Sequence, residues 1–157
     1  MSFLRGKIDI PEIFIYGQAN GSAYLLMEYV EGKMLRVLLE NNESDRESLI
    51  YNLGHTLRKI HDIKLIEKPD CNNTLSRYLS KAKFNMDNNL LDLEEFTIDG
   101  TYIEPKELLE YLTRQKIKET DVCLLHGDFR PKNIIYGDKI TVIDWGFCDT
   151  GDAYYDL

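Results

Sequence analysis

Cysteine is scarce in this chain of 157 residues, which contains only Cys71, Cys123 and Cys148. The three are odd in number and widely spaced, and no two of them form a C-x-x-C pair. We therefore expect neither a disulfide framework nor a zinc site. Free cysteines of this kind usually act as small buried apolar residues.

Two further features are missing, an excess of basic residues and a long apolar run. The 19 basic and 27 acidic residues give a net charge of −8, which disfavours nucleic acid as a partner and favours small cations. No apolar run approaches the roughly 20 residues of a membrane span. The first residues also lack the apolar core of a signal peptide. We therefore expect a cytoplasmic protein that has no membrane partner.

Hydrophobic periodicity divides the chain into strands at both ends and helices between them. The predicted order is strands 12–16 and 23–30, helices 34–40, 44–63, 74–84 and 105–119, an apolar run 122–125, and strands 133–136 and 139–143. A longer loop is expected over 17–22, and Gly137-Asp138 fits a two-residue type II′ turn. Ser44 and Glu47 have the spacing of a capping box. Because strands and helices are segregated along the chain, the predicted fold class is α+β.

The strongest chemical signal lies around the second predicted hairpin. Asn133 opens one of its strands and Asp144 closes the other, so the two side chains are expected to lie close together. Amide and carboxylate oxygens are hard ligands that suit Mg²⁺. Asp128 lies on the loop leading to this place and could accept a proton from an attacking hydroxyl. Each residue alone could be a turn cap, but the ordered set matches the kinase pattern.

These motifs resemble the aminoglycoside phosphotransferase and choline kinase-like family, which has the protein-kinase fold. The resemblance rests on His126-Gly127-Asp128-x-x-Pro131-x-Asn133 and Ile143-Asp144-Trp145-Gly146, followed by Asp152-Ala153-Tyr154-Tyr155-Asp156-Leu157. Weaker matches lie upstream, at Pro11 to Tyr16, at Leu25 to Gly32 and at Leu57 to His61. The resemblance thus runs from about residue 10 to the end of the chain.

The resemblance implies a role for individual residues. Asp128 would be the catalytic base, and Asn133 and Asp144 would be the Mg²⁺ ligands. His126 would organise the loop, and Asp156 would bond to the backbone of that loop. The nucleotide, ATP or GTP, would meet three residues of the hinge: the Glu28 carbonyl and the Val30 N–H would face adenine, with Met27 beside it. Arg130 and Lys132 could approach phosphate or be solvated.

The resemblance also implies that this chain is a central fragment. Residues 1–31 would be the remnant of the N-lobe, and 32–157 an incomplete C-lobe. The family's phosphate-covering loop and its phosphate-binding lysine have no counterpart before Pro11, so weak or no turnover is expected from the chain alone. A bare sheet edge would also favour self-association.

An acidic stretch offers a candidate surface for the phosphate acceptor. Between residues 85 and 104 there are six acids and no base, among them Asp92, Glu94 and Glu95. These residues could form a solvated loop or a negative wall for a cationic acceptor. An aminoglycoside is the first expectation, and choline, homoserine and ketosamines stay open. The alternatives to an active kinase are a non-catalytic nucleotide-binding remnant and an interaction module.

Overall fold

A computed structural model describes residues 4–41, 45–64, 74–98, 100–115 and 121–157. The helices are α1 (Leu35–Asn41), α2 (Arg46–His61), α3 (Thr74–Asp87) and α4 (Pro105–Arg114). The strands are β1 (Ile13–Ala19), β2 (Ser22–Met27), β3 (Lys33–Met34), β4 (Thr97–Ile98), β5 (Thr101–Tyr102), β6 (Val122–Leu125), β7 (Ile134–Tyr136), β8 (Ile140–Val142) and β9 (Asp149–Asp152). The pairs β1–β2, β4–β5 and β6–β9 and the sheet β3–β7–β8 are all antiparallel. The predicted α+β class is confirmed.

The first hairpin differs from its prediction at the turn. Asn20 and Gly21 both have positive φ, 52° and 75°, and Ala19 pairs with Ser22. This is the two-residue geometry of a type I′ turn, which Asn-Gly favours. The expected longer loop over 17–22 is therefore wrong, because β1 continues to Ala19 and β2 starts at Ser22. β2 also ends at Met27 rather than at residue 30.

Three other local predictions are corrected. Tyr136 pairs with Ile140, so the second hairpin has a three-residue loop, 137–139, and not a two-residue type II′ turn. α4 ends at Arg114 because Gln115 already has an extended backbone, with ψ 134°, whereas the prediction continued to 119. Asp45 caps α2 by accepting from the Glu47 N–H at 3.1 Å. Ser44, the predicted cap, lies outside the described residues.

The core lies between the helices and the second hairpin. Leu35 of α1, Ile60 of α2, Ile134 of β7 and Val142 of β8 are all buried within one cluster. On α2 the side facing the core includes Leu49, which is buried, whereas the neighbouring Ile50 is 52% exposed. Packing therefore joins α1 and α2 to the strands that carry the candidate site.

The β1–β2 hairpin contributes little to this core. Its large apolar side chains are half exposed or more on both faces of the ribbon, namely Phe14, Ile15, Tyr16, Tyr24, Leu25 and Leu26. Nothing in the described structure supports the predicted self-association, which stays a prediction. Among the described residues, no helix combines the length and apolarity needed to cross a membrane.

The two described cysteines are free, and neither is activated. Cys123 is buried in β6, and burial raises the pKa of its thiol to about 12. Burial also raises the pKa of Cys148. A thiol with a raised pKa is a poor nucleophile and a poor metal ligand, as expected for small packing residues. Cys71 lies outside the described residues.

Candidate functional site

A tight loop connects β6 to the second hairpin and depends on Gly127. This residue has φ 81°, and a Cβ built on it would lie 2.2 Å from the Phe147 carbonyl oxygen. Only glycine fits a left-handed position so close to another backbone. The sequence His126-Gly127-Asp128 can thus turn sharply beneath residue 147. As a result, the loop carrying Asp128 is held against the segment that follows Asp144.

His126 ties this loop to the end of β8. The ring is fully buried. Its Nε2 lies 2.9 Å from the Ile143 carbonyl oxygen, and its Nδ1 accepts from the Asp128 N–H at 3.2 Å. One ring nitrogen therefore donates while the other accepts, which is the pattern of a neutral imidazole. The ring also packs on Trp145, with the centroids 4.6 Å apart. His126 thus fixes the backbone of Asp128 relative to Ile143.

Asp156 holds the same loop from the other side. Its carboxylate accepts from the His126 N–H at 2.8 Å and from the Gly127 N–H at 2.7 Å. His61, at the end of α2, lies 3.1 Å from Oδ2. Burial raises the pKa of Asp156, but the hydrogen bonds from His61 and the two N–H groups outweigh it and hold that pKa below its ordinary value. The loop contact expected for Asp156 is present, whereas the contact with His61 was missed in the sequence.

The carboxylate of Asp128 accepts hydrogen bonds and is held in its ionised form. Its side chain is 13% exposed and forms an ion pair with Arg130. The Asn133 amide nitrogen donates to Oδ2 at 2.9 Å and to the Asp128 carbonyl, also at 2.9 Å. Lys132 Nζ lies 3.6 Å from Oδ2. The hydrogen bond from Arg130 outweighs partial burial and, with Asn133, lowers the pKa of Asp128. A carboxylate in this state can accept a proton.

Asn133 and Asp144 lie at adjacent ends of the second hairpin. Asn133 ends the 3₁₀ turn Pro131–Asn133, and its carbonyl accepts from the Ile143 N–H at 2.9 Å. Asp144 is the residue after Ile143, and it is exposed and has a left-handed conformation with φ 62° and ψ 58°. Because the Asn133 amide nitrogen is bonded to Asp128, its amide oxygen is the atom left to ligate a cation.

These two oxygen donors fit Mg²⁺. Within the described ranges, no group of three or more His, Cys, Asp or Glu side chains could hold a metal. Mg²⁺ is usually bound by one or two carboxylates together with waters and substrate phosphates. A site built from one amide oxygen and one carboxylate at a strand end is consistent with this mode of coordination. Metal binding by Asn133 and Asp144 therefore stays a prediction that the geometry allows.

The hinge segment, defined as residues 28–32, contacts the second hairpin at the end opposite to Asn133. The Glu28 N–H donates to the Glu12 carbonyl at 2.8 Å, which continues the β1–β2 pairing beyond Met27. A Cβ on Gly32 would lie 2.7 Å from the Tyr136 carbonyl oxygen, so glycine is needed where the chain crosses β7. The next residues, Lys33 and Met34, pair with β7. The Glu28 carbonyl and Val30 N–H thus belong to a segment anchored on the hairpin.

The acidic stretch follows the far end of α3. Thr74, the first residue of α3, donates to the Thr150 carbonyl at 2.8 Å. The stretch begins near Asp87, about 20 Å further along a 14-residue helix that rises 1.5 Å per residue. Asp92 is exposed. The side chains of Glu94 and Glu95 lie outside what the structure describes. A role for these three acids in acceptor binding stays a prediction.

A cavity beside Gly127 was not foreseen. It has a volume of about 340 Å³, and its lining includes Tyr78, Lys81, Phe147 and Asp149. Tyr78 donates to Asp149 at 3.3 Å. Burial, followed by the negative charge of Asp149, raises the pKa of Tyr78 to about 12. The sequence signal was weak, because nothing links a tyrosine on a helix to an aspartate 71 residues later.

Comparison with known proteins agrees with the motif. The model of the phosphotransferase enzyme family matches residues 1–157. An aminoglycoside 3′-phosphotransferase of Niallia circulans is 30% identical and one of Enterococcus faecalis 29%, each over 100% of this chain. The chain spans 59% and 60% of those two relatives.

A solved structure also shares the fold. The crystal structure of an aminoglycoside-3′-phosphotransferase of type VIII matches with a TM-score of 0.75 and 22% identity, over 95% of this chain and 56% of that chain. The predicted family resemblance is confirmed by the match along the whole sequence. The chain belongs to the phosphotransferase enzyme family.

Proposed function

We propose that the protein to which this chain belongs transfers the γ-phosphate of ATP or GTP to a hydroxyl group of a small molecule. The observation that carries the proposal is the placement of Asp128, Asn133 and Asp144 around one hairpin end. Asn133 binds the Asp128 carboxylate at 2.9 Å and receives the Ile143 N–H at 2.9 Å. Phosphoryl transfer depends mainly on such positioning and on charge stabilisation.

Each residue has a distinct part in the proposed reaction. Asp128 accepts the proton of the acceptor hydroxyl, and its ion pair with Arg130 keeps the carboxylate ionised. Asn133 and Asp144 hold Mg²⁺, which when bound neutralises the charge that develops on the phosphates. His126 and Asp156 position the loop through buried hydrogen bonds. The hinge groups of Glu28 and Val30 bind adenine beside Met27, where the N-lobe remnant meets the C-lobe.

The proposed acceptor is an aminoglycoside. Relatives that cover this whole chain are named aminoglycoside 3′-phosphotransferases, and the chain carries a net charge of −8, which attracts polycations. The acidic stretch containing Asp92, Glu94 and Glu95 is the proposed contact surface for ammonium groups. Choline, homoserine and ketosamines are the other acceptors to include.

A second candidate is a nucleotide-binding remnant without turnover. The chain spans only about 60% of the relatives it matches. The β1–β2 hairpin precedes the hinge segment, and its apolar side chains are exposed. Under this proposal nucleotide binds weakly through the hinge segment and Mg²⁺, and no phosphate is transferred.

The test is a transfer assay with matched acceptors. The protein is incubated with Mg²⁺ and ATP or GTP, and acceptors that carry a 3′-hydroxyl are compared with their 3′-deoxy analogues by mass spectrometry. Gain of one phosphate by the 3′-hydroxyl compounds alone supports the leading proposal. In that case Asp128→Asn should lower kcat by about 10²–10⁴.

Two outcomes separate the candidates. Nucleotide binding that is lost in Asp144→Ala, without transfer to any acceptor, favours the remnant. Transfer that survives unchanged in Asp128→Asn, with chemistry rate-limiting, rejects Asp128 as the base.

A further inference from the structure

A ligand-sized cavity lies behind the hinge segment, away from the candidate catalytic loop. Its volume is about 550 Å³. The hinge segment forms one wall, the loop 137–139 and residues 9–10 form others, and Thr141 of β8 contributes to the lining. We call this space the rear cavity. Glu28 and Val30, whose backbone groups are assigned to adenine, are part of the lining, whereas Met27, Asp128, Asn133 and Asp144 are not.

Thr141 brings a buried polar group to this cavity. The residue is only 7% exposed, and its backbone pairs with Ile135 in the β7–β8 ladder. Its hydroxyl makes no hydrogen bond to any residue in the described ranges. Polar groups that are buried in proteins nearly always have a hydrogen-bond partner, and a missing one is costly. The Thr141 hydroxyl is therefore suited to a partner that enters the rear cavity.

Negative charge dominates the lining. Four carboxylates, Asp9, Glu28, Glu31 and Asp138, face one ammonium group, that of Lys139. Asp9 is paired with Lys139 at 3.1 Å, and one Glu28 oxygen accepts from the Glu12 N–H at 3.0 Å. Glu31 and Asp138 have no ion-pair partner within the described part of the chain. A concave surface of one charge sign concentrates ions of the opposite sign.

We propose that the rear cavity binds a small organic cation, an ammonium or guanidinium compound that also hydrogen-bonds the Thr141 hydroxyl. Glu31 and Asp138 supply the charge that attracts it, and Thr141 supplies the buried polar contact. The site shares the hinge residues Glu28 and Val30 with the proposed adenine contact, but it contains none of the residues assigned to the metal or to proton transfer. Binding there does not depend on phosphoryl transfer, so failure of the proposed function would leave this proposal intact, and the reverse also holds.

The first experiment measures binding of defined probes to the 157-residue protein by calorimetry. Putrescine and agmatine are the cationic probes, and 1,4-butanediol is the neutral control of similar length. We expect one cation per chain, with an affinity that falls as salt shortens the Debye length from about 10 Å at 0.1 M to about 3 Å at 1 M. Equal binding of the diol, or no cation binding at millimolar concentration, overturns the proposal.

Variants then locate the bound cation. Glu31→Gln together with Asp138→Asn should weaken cation binding by about tenfold or more, because both unpaired charges are removed. Glu107→Gln together with Glu110→Gln removes two exposed acids of α4 and should leave the affinity unchanged. Equal losses in the two double variants would mean that only net charge matters, which also overturns the site.

Substitutions of Thr141 give the most specific test of whether the cation binds in the rear cavity. Thr141→Val keeps the shape of the side chain and should weaken binding by about 3–10-fold, the usual worth of one hydrogen bond. It should not lower the ligand-free Tm, because it removes an unsatisfied buried hydroxyl. Thr141→Ser should retain binding. An unchanged Kd in Thr141→Val, or displacement of the cation by Mg·ATP, contradicts a separate site.

Discussion

The β1–β2 hairpin and the β7–β8 hairpin are packed in opposite ways. The β1–β2 hairpin has seven- and six-residue strands and a favourable Asn20-Gly21 turn, yet its apolar side chains are exposed on both faces. The β7–β8 hairpin has strands of three residues each, and Ile134 and Val142 are fully buried. Local strand propensity therefore does not determine which hairpin is integrated into the fold.

The difference arises from what surrounds each hairpin. β7 pairs with β8 on one side and with β3 on the other, and the Val142 N–H bonds to the Asp9 carbonyl at 3.0 Å. His126 then joins the end of β8 to the loop that carries Asp128. β1 and β2 pair only with each other among the described strands. An isolated two-stranded ribbon is marginal in water, so we expect stability to be concentrated around the second hairpin.

Gly127→Ala, next to the second hairpin, should cause the largest loss of stability. The new Cβ would lie 2.2 Å from the Phe147 carbonyl oxygen at a residue with φ 81°, so both a clash and backbone strain are introduced. We expect a loss of more than about 3 kcal/mol in the free energy of unfolding, measured by urea denaturation.

The matched control is Gly54→Ala within α2. No atom lies within 4 Å of the added Cβ there, and alanine favours a helix by about 0.5–1 kcal/mol over glycine. A gain of that size is expected. Similar losses in both variants would show that the close approach of the Asp128 loop to residue 147 is not the reason that glycine is needed at position 127.

Asp156→Asn should have an intermediate effect on the same region. The substitution removes a buried charge that accepts from His126, Gly127 and His61, and it places an amide N–H₂ group against donors. We expect a loss of about 2–4 kcal/mol. Asp62→Asn, which breaks an exposed pair with Arg58, should cost no more than about 0.5 kcal/mol.

The pH dependence of stability gives a second readout for Asp156. Its pKa is lower in the folded state than its ordinary value, so its contribution is complete above that ordinary value, near pH 4. The contribution is lost as the pH falls through the folded pKa. The free energy of unfolding of Asp156→Asn should therefore fall less steeply with decreasing pH than that of the unchanged protein. Equal slopes would mean that Asp156 is not ionised in the folded loop.

The sequence predicted the strands of the second hairpin and the loop that carries Asp128 better than the elements that support them. Asp128, Asn133 and Asp144 have diagnostic spacing, so their juxtaposition followed from the motif. β9 could not be predicted, because Asp149-Thr150-Gly151-Asp152 has little strand propensity and forms a strand by pairing with β6. β3 has two residues and depends on Gly32 crossing β7. The contact between His61 and Asp156 joins residues 95 positions apart, and no local pattern encodes it.

Substitutions in the first hairpin should have the smallest effect. Leu25 and Leu26 point to opposite faces of β2 and are 51% and 55% exposed. Truncation of either to alanine should cost less than about 1 kcal/mol, because little apolar surface is removed from contact. A fully buried leucine would cost about 2–5 kcal/mol. Both variants are measured by urea denaturation at several protein concentrations. A loss above about 2 kcal/mol in one variant, growing with protein concentration, would show that a second chain covers that face and that the two hairpins are equally packed in solution.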